Sequence, residues 1–242
     1  MFVQEYAGTS ACSQSCSPNR IAMNGTQWTA FRQTTPNHFL AELMETPDTI
    51  RRFWFGDHAS DAAVAADKSS LWWSKNAETD ARIRHHFEDM VIKAGQRELD
   101  GWAATPDGRL ALILLTDQFP RNIYRDSGKA FAFDALARAW CREGLALGVD
   151  AMLRPIERVF FYLPLEHSES VSDQAQAVEL FQSLAAQAAP DAKATFDGFL
   201  DFARRHKIII DRFGRFPHRN RLLDRASTPE EAAFLAQPGS SF

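Results

Sequence analysis

Two short stretches carry nearly the same side chains 97 positions apart, counted from Phe119 to Phe216: Gln118-Phe119-Pro120-Arg121-Asn122 and Arg215-Phe216-Pro217-His218-Arg219-Asn220. The guanidinium of arginine stays charged at any working pH, and its fork donates two parallel hydrogen bonds to a carboxylate or phosphate. The amide of asparagine can add a further donor or acceptor. Two such corners brought together would place Arg121, Asn122, Arg219 and Asn220 around one polar site, with Arg215 and His218 beside them. Between positions 204 and 225, seven arginines and Lys207 stand against only Asp211 and Asp224, a local excess of positive charge on a chain of net charge −4. For Arg204, Arg205 and Arg225 a solvated helix face accounts for that excess. Arg215 and Arg219 lie in a turn with Gly214 and Pro217, where the backbone can aim a polar group inward.

Proton-transfer chemistry has three candidates. Glu166-His167-Ser168-Glu169 emerges directly from the apolar stretch Phe160-Phe161-Tyr162-Leu163-Pro164. A histidine flanked by carboxylates suits general base catalysis, so His167 and Glu169 qualify. The alternative is structural: Ser168 or Ser170 caps the next helix, and His167 satisfies buried carbonyls. Asp117 ends an apolar run, where a lone carboxylate needs a partner; Arg121, Arg215 and Arg219 are the candidates. Paired, Asp117 braces an arginine; left partly free, it takes a proton. Asp134 and Gln174 invite the same two readings. No HExxH or CxxC spacing indicates a metal, and no GxGxxG or Walker pattern indicates a phosphate loop, so neither a metal nor another cofactor is expected.

Helices must position these groups. Thr46-Pro47 places an N-cap before a proline at the first helical position and predicts a helix over Asp48 to Phe55. Ile83, Phe87, Met90, Val91 and Ala94 keep helical spacing within roughly Glu78 to Trp102, and Thr105-Pro106 opens a run to Gln118. Its block Leu110 to Leu115 is apolar on every side and should be central. Helices over Lys129 to Leu147, Pro155 to Leu163, Ser172 to Ala188 and Asp191 to Phe213 follow, then a short one opened by Thr228-Pro229-Glu230-Glu231. Proline fixes its own φ and disfavours helix in the residue before it, so Phe119 and Phe216 are each expected where a helix stops. His85 and His86 are expected to be exposed. Trp54, Trp72, Trp73, Trp102 and Trp140 are expected in the core. The fold class predicted from periodicity is all-α.

Composition bounds the partners. With 242 residues, 45% apolar and 12% aromatic, the chain can bury one large core. Its net charge gives no reason to expect nucleic acid, and its longest apolar run of six residues, Leu110 to Leu115, gives none to expect a membrane span. Residues 1 to 43 have no acidic side chain between Tyr6 and Ala41 and no apolar periodicity, which reads as a disordered tail outside a single helical domain over 44 to 242. Translation starting at Met23 or Met44 is the other reading of that segment. A transit peptide is a third, with only Arg20 and Arg32 to supply charge. Cys12, Cys16 and Cys141 form no disulfide or zinc pattern and fit a reducing cytoplasm.

Three segments resemble one known family. Leu115-Thr116-Asp117-Gln118-Phe119-Pro120-Arg121-Asn122, Tyr162-Leu163-Pro164-Leu165-Glu166-His167-Ser168-Glu169 and Arg212-Phe213-Gly214-Arg215-Phe216-Pro217-His218-Arg219-Asn220 are similar, in order, to the signature segments of the bacterial family called domain of unknown function 924. The resemblance covers about Pro47 to Phe242. It implies stacked antiparallel helix pairs in an α/α superhelix, as in tetratricopeptide-repeat proteins, and carries over no catalytic residue. Two functions stand. In the first, a binding or scaffold protein receives an anionic small molecule or peptide carboxylate on Arg121, Asn122, Arg215, His218, Arg219 and Asn220. In the second, an enzyme holds an anionic substrate on the same arginines while Asp117, His167 or Glu169 moves a proton.

Overall fold

Capping residues start the helices where the sequence places them. Thr46 accepts a hydrogen bond from the Thr49 amide at 3.3 Å, and Thr105 accepts one from the Gly108 amide at 3.1 Å. Thr228 and Glu231 cap one another, the Glu231 amide donating to Thr228 at 3.2 Å and the Thr228 amide to Glu231 at 2.8 Å. A computed structural model describes residues 45–240 of the chain. The expectations for residues 1 to 43, with Cys12 and Cys16, lie outside the described residues.

The described residues are helical, without a strand. In chain order they form α1 (Pro47–Phe55), α2 (Asp61–Trp73), α3 (Ala77–Gly95), α4 (Pro106–Ile113), α5 (Phe119–Ile123), α6 (Asp134–Leu147), α7 (Pro155–Glu166), α8 (Val171–Gln187), α9 (Lys193–Phe213) and α10 (Pro229–Leu235). From α6 to α9, consecutive helices pack on one another, whereas α1 lies on α4 and α3 on α5. Helix α2 has no counterpart in the sequence reading, because Asp61 to Trp73 is rich in alanine and its apolar side chains form only a weak stripe. Ser60 caps it by accepting from the Ala63 amide at 3.4 Å. The helix expected from Glu78 to Trp102 stops at Gly95, where the chain turns through Arg97 at φ 66°.

The first Phe-Pro corner departs from expectation. Phe119 does not end a helix: Leu114–Gln118 forms a π turn between α4 and α5, and the rod continues through Pro120 to Ile123. Proline removes one amide donor and crowds the carbonyl four residues back. The wider turn relieves both, because the Phe119 amide reaches back to the Leu114 carbonyl and the helical register slips by one residue just before the ring. Pro164 is likewise carried inside α7. The second corner behaves as predicted: α9 ends at Phe213, Gly214 turns at φ 69°, and Phe216 is extended.

Trp54, Phe55, Phe119, Phe160, Phe161 and Tyr162 are fully buried and join α1, α5 and α7 in one core. Trp54 packs against Phe119 at 5.3 Å between ring centroids and edge-on against Phe160 at 5.6 Å. Trp72 and Trp140 are buried as expected, but Trp73 is half exposed and stacks on Phe160. His85 and His86 are exposed. No helix of the described residues is long and apolar enough to cross a membrane.

Candidate functional site

The π turn sets the site. The register slip falls at Asp117 and turns this carboxylate into the interior, where it is fully buried. It accepts from the side-chain amide of Gln118 beside it and forms an ion pair with Arg121 Nη1 at 3.2 Å, while that Nη1 donates to the Asp117 backbone carbonyl at 2.6 Å. Both of its oxygens also face His167 Nδ1, at 2.9 and 3.0 Å. Those three partners hold Asp117 well below the usual carboxylate range in spite of burial.

Arg121, one turn further on, grips Asp134 with both arms of its fork, at 3.0 and 3.1 Å. Arg219, from the second corner, reaches the same Asp134 at 3.5 Å. The two Phe-Pro corners therefore meet through one carboxylate that neither contains. The Arg219 guanidinium lies between two aromatic faces, 4.8 Å from the centroid of Phe131 and 4.4 Å from that of Phe216. Its side chain is 7% exposed. Among the described residues its buried Nε has no hydrogen-bond partner. Burial, and then the charge of Arg121, push its pKa down to about 10.

Below this layer, Glu166 Oε1 lies 3.1 Å from His206 Nδ1, and the His206 ring is 6.2 Å from that of His167. Burial, and then the nearby charge of Asp117, push Glu166 up to about 8. Burial and the neighbouring His167 bring His206 down to about 3. Burial thus favours the neutral form of both partners. His206 was missed in the sequence, although it left a trace there. It stands on the buried stripe of α9 with Phe196, Leu200, Ala203 and Ile210, a place where an apolar residue is the rule.

Other candidates are placed elsewhere. Asn122 donates to Asp80 at 2.9 Å, beside the bidentate Arg125. Arg215 grips Glu231 at 2.6 and 2.8 Å, and Asn220 donates to the same carboxylate at 3.2 Å. Glu169 is clamped by Arg225 at 2.7 and 3.0 Å and accepts from the Phe216 amide at 2.8 Å. Arg225, expected on a solvated face, is thus part of the brace that fixes the second corner. His218 lies by the Phe216 ring at 5.6 Å, lowered to about 4 by burial and then by Arg219. Ser168 neither caps α8 directly nor stands free; its hydroxyl donates to Asp173 at 2.6 Å. Gln174 donates to the carbonyls of Glu166 and Ser168, closing the end of α7. Among the described residues, no group of three His, Cys, Asp or Glu side chains is placed to hold a metal ion. A surface concavity of about 420 Å³ lined by Arg52, Phe53, Lys68 and Arg82 includes none of the candidate residues.

Residues 50–239 match the family model described as bacterial protein of unknown function, DUF924. The chain belongs to this family. A solved structure titled as that of a protein of unknown function, ATU0120 from Agrobacterium tumefaciens, is 39% identical and superposes with a TM-score of 0.62, covering 73% of this chain and 99% of that one. No curated protein matches. All three signature segments fall inside the matched region, and each contributes to the buried cluster: Asp117 and Arg121 from the first, Glu166 and His167 from the second, Arg219 from the third.

Proposed function

We propose that this family member is a binding protein whose buried cluster receives the carboxylate of a small anionic molecule or of a peptide. Arg219 and His167 form the receiving set. The observation that carries this reading is the state of Arg219. A guanidinium has five N–H donors, and this one, almost fully buried between the Phe131 and Phe216 rings, reaches one acceptor among the described residues, Asp134 at 3.5 Å, which it shares with Arg121. Leaving a buried cation so poorly paired is unfavourable, and an incoming carboxylate is the partner that would offset it. The imidazole of His167, whose environment favours the neutral form, adds a ring nitrogen within the electrostatic reach of Arg219. Arg121, Asn122, Arg215 and Asn220 are left out of the set, since each is committed to a carboxylate of the chain itself.

A thermal-shift titration tests this. Succinate is expected to raise the melting temperature of the full chain, because a ligand that binds only the native state stabilises it by mass action. Arg219→Ala should abolish that rise. An N-acetylated dipeptide with a free carboxylate distinguishes a peptide ligand from a small one. Equal shifts from succinate, chloride and sulfate, unchanged in Arg219→Ala, would remove the reading's support.

A further inference from the structure

The pairing of Asp117 with His167 does more than fill space. Asp117 is ionised and can only accept, so the proton of the imidazole sits on Nδ1 and is held there by both carboxylate oxygens. Nε2 is then the nitrogen with the lone pair. It makes no hydrogen bond to a described residue, and the His167 side chain keeps 15% of its surface open. A carboxylate that fixes the tautomer and aim of a histidine, and stabilises the imidazolium once formed, is the arrangement that makes imidazole an effective base. The groups facing His167 are Asp117 and Arg121 from the first signature segment, His218 and Arg219 from the second corner and His206 from α9. Burial, offset by Asp117 and reinforced by the two arginines, holds its pKa below the usual value, so it is unprotonated near pH 7.

Covalent catalysis finds no nucleophile beside it. The Ser168 hydroxyl is committed to Asp173, and the Cys141 thiol is buried and shifted far upward by burial. Water is the reactant that remains. The charges of Arg121, which shares Asp117 with the imidazole, and of Arg219 reach His167, so they would favour the negative charge that grows on an acyl oxygen as that water adds.

We infer that His167, oriented by Asp117, is a general base that drives water onto the acyl carbon of an ester carrying a carboxylate, the carboxylate being held by Arg219. This rests on the anion binding proposed above. In the forward step Nε2 takes one proton from water as the water oxygen bonds to the acyl carbon, giving a tetrahedral oxyanion. On collapse the carbon–oxygen bond to the alcohol breaks, the leaving oxygen takes the proton from Nε2, and the products are a carboxylic acid and an alcohol. His167 is the catalytic residue and Asp117 a positioning residue.

The test uses the full chain with mono-p-nitrophenyl succinate and, as the uncharged control, p-nitrophenyl acetate, reading release of p-nitrophenolate. The succinate ester should be cleaved with saturation and the acetate no faster than by free imidazole. His167→Gln should lower kcat by about 100-fold or more. Arg219→Lys should act mainly on KM. Activity should fall as pH drops below the ordinary histidine range, and in Asp117→Asn the surviving activity should show that limb moved to lower pH, which a merely structural carboxylate would not produce. Should His167→Gln fail to fold, carbethoxylation of His167 in the unaltered chain gives the same answer: it should stop cleavage, and succinate should protect against it. If succinate raises the melting temperature but its ester is cleaved no faster than by imidazole, or cleavage survives loss or modification of His167, the base role is overturned while the binding reading stands. If succinate neither shifts melting nor inhibits cleavage, the binding reading fails and takes this inference with it.

Discussion

Asp117 and Arg219 share one cluster but should respond oppositely to truncation. Asp117 is buried and partnered by Arg121, His167 and Gln118; Arg121 would keep Asp134, but Asp117→Ala leaves the buried donors of His167 and Gln118 without their acceptor and should destabilise by about 1 to 3 kcal/mol in chemical denaturation. Arg219 is poorly paired and repelled by Arg121, so Arg219→Ala should leave stability unchanged or raise it in the absence of an anion. Arg215, gripped by Glu231, belongs with the braces: Arg215→Ala should lower the melting temperature and leave any succinate shift intact. Glu166 gives a further residue-level outcome. Its pKa is raised to about 8 in the folded chain, so the native state holds a proton that the unfolded chain releases near the ordinary glutamate value. Its contribution is therefore complete below that ordinary value and lost as pH rises toward 8. Glu166→Gln, uncharged at every pH, should raise the melting temperature at pH 8 by at least about 3 °C and change it little at pH 5.

Close approach of helices holds the site's supports in place. Gly144 on α6 lets Phe161 of α7 and Arg109 of α4 come so near that a Cβ there would stand 2.4 Å from the Phe161 ring and 2.7 Å from the Arg109 side chain. Both neighbours are buried, and Arg109 is tied to the carbonyls of Trp140 and Ala103 at 3.1 Å each. Gly144→Ala should destabilise by about 1 to 3 kcal/mol through overpacking. Gly198, inside α9 with no atom near its added Cβ, is the matched control. Gly198→Ala should stabilise by about 0.5 to 1 kcal/mol, because alanine loses less backbone freedom on folding. Urea unfolding of the two variants checks both signs.

Across the described residues, several carboxylates on one element are held by cations on another. Asp80 takes Arg125, Asp173 takes Arg138 and Arg142, Glu169 takes Arg225, and Glu231 takes Arg215. Each of these carboxylates is lowered, Glu231 to about 2. Their stabilisation is present above the ordinary carboxylate range and is lost as pH falls through the lowered values. Glu166 acts with the opposite sign on the alkaline side. The buried His167, His206 and His218, all lowered, lose stability as pH falls below the ordinary histidine value, so melting temperature should pass through a maximum near about pH 6.5 to 7, falling steeply on the acid side and gently toward pH 8. A melting series over that range that rises steadily to pH 8 would contradict this balance.

The all-α class, most helix starts and the importance of the two corners could be read from the chain, because caps, prolines and apolar spacing act over a few residues. Thr46, Thr105 and Thr228 are cases where local chemistry alone fixed where a helix starts. The same local rules failed at Phe119, since a π turn is a compromise between a proline and the packing of a central rod, and only the packing makes it worthwhile. They could not assign partners either. Arg121 and Arg219 meet through Asp134, while Asn122, Arg215 and Asn220, neighbours of those arginines in sequence, turn to Asp80 and Glu231. The approach of His206 to Glu166 across two helices likewise leaves no local motif. Sequence determined which residue types were available at each corner. The direction each one points, and hence which arginine is fully paired and which is not, was decided by the tertiary structure, because pairing energies depend on distance and burial that no local pattern encodes.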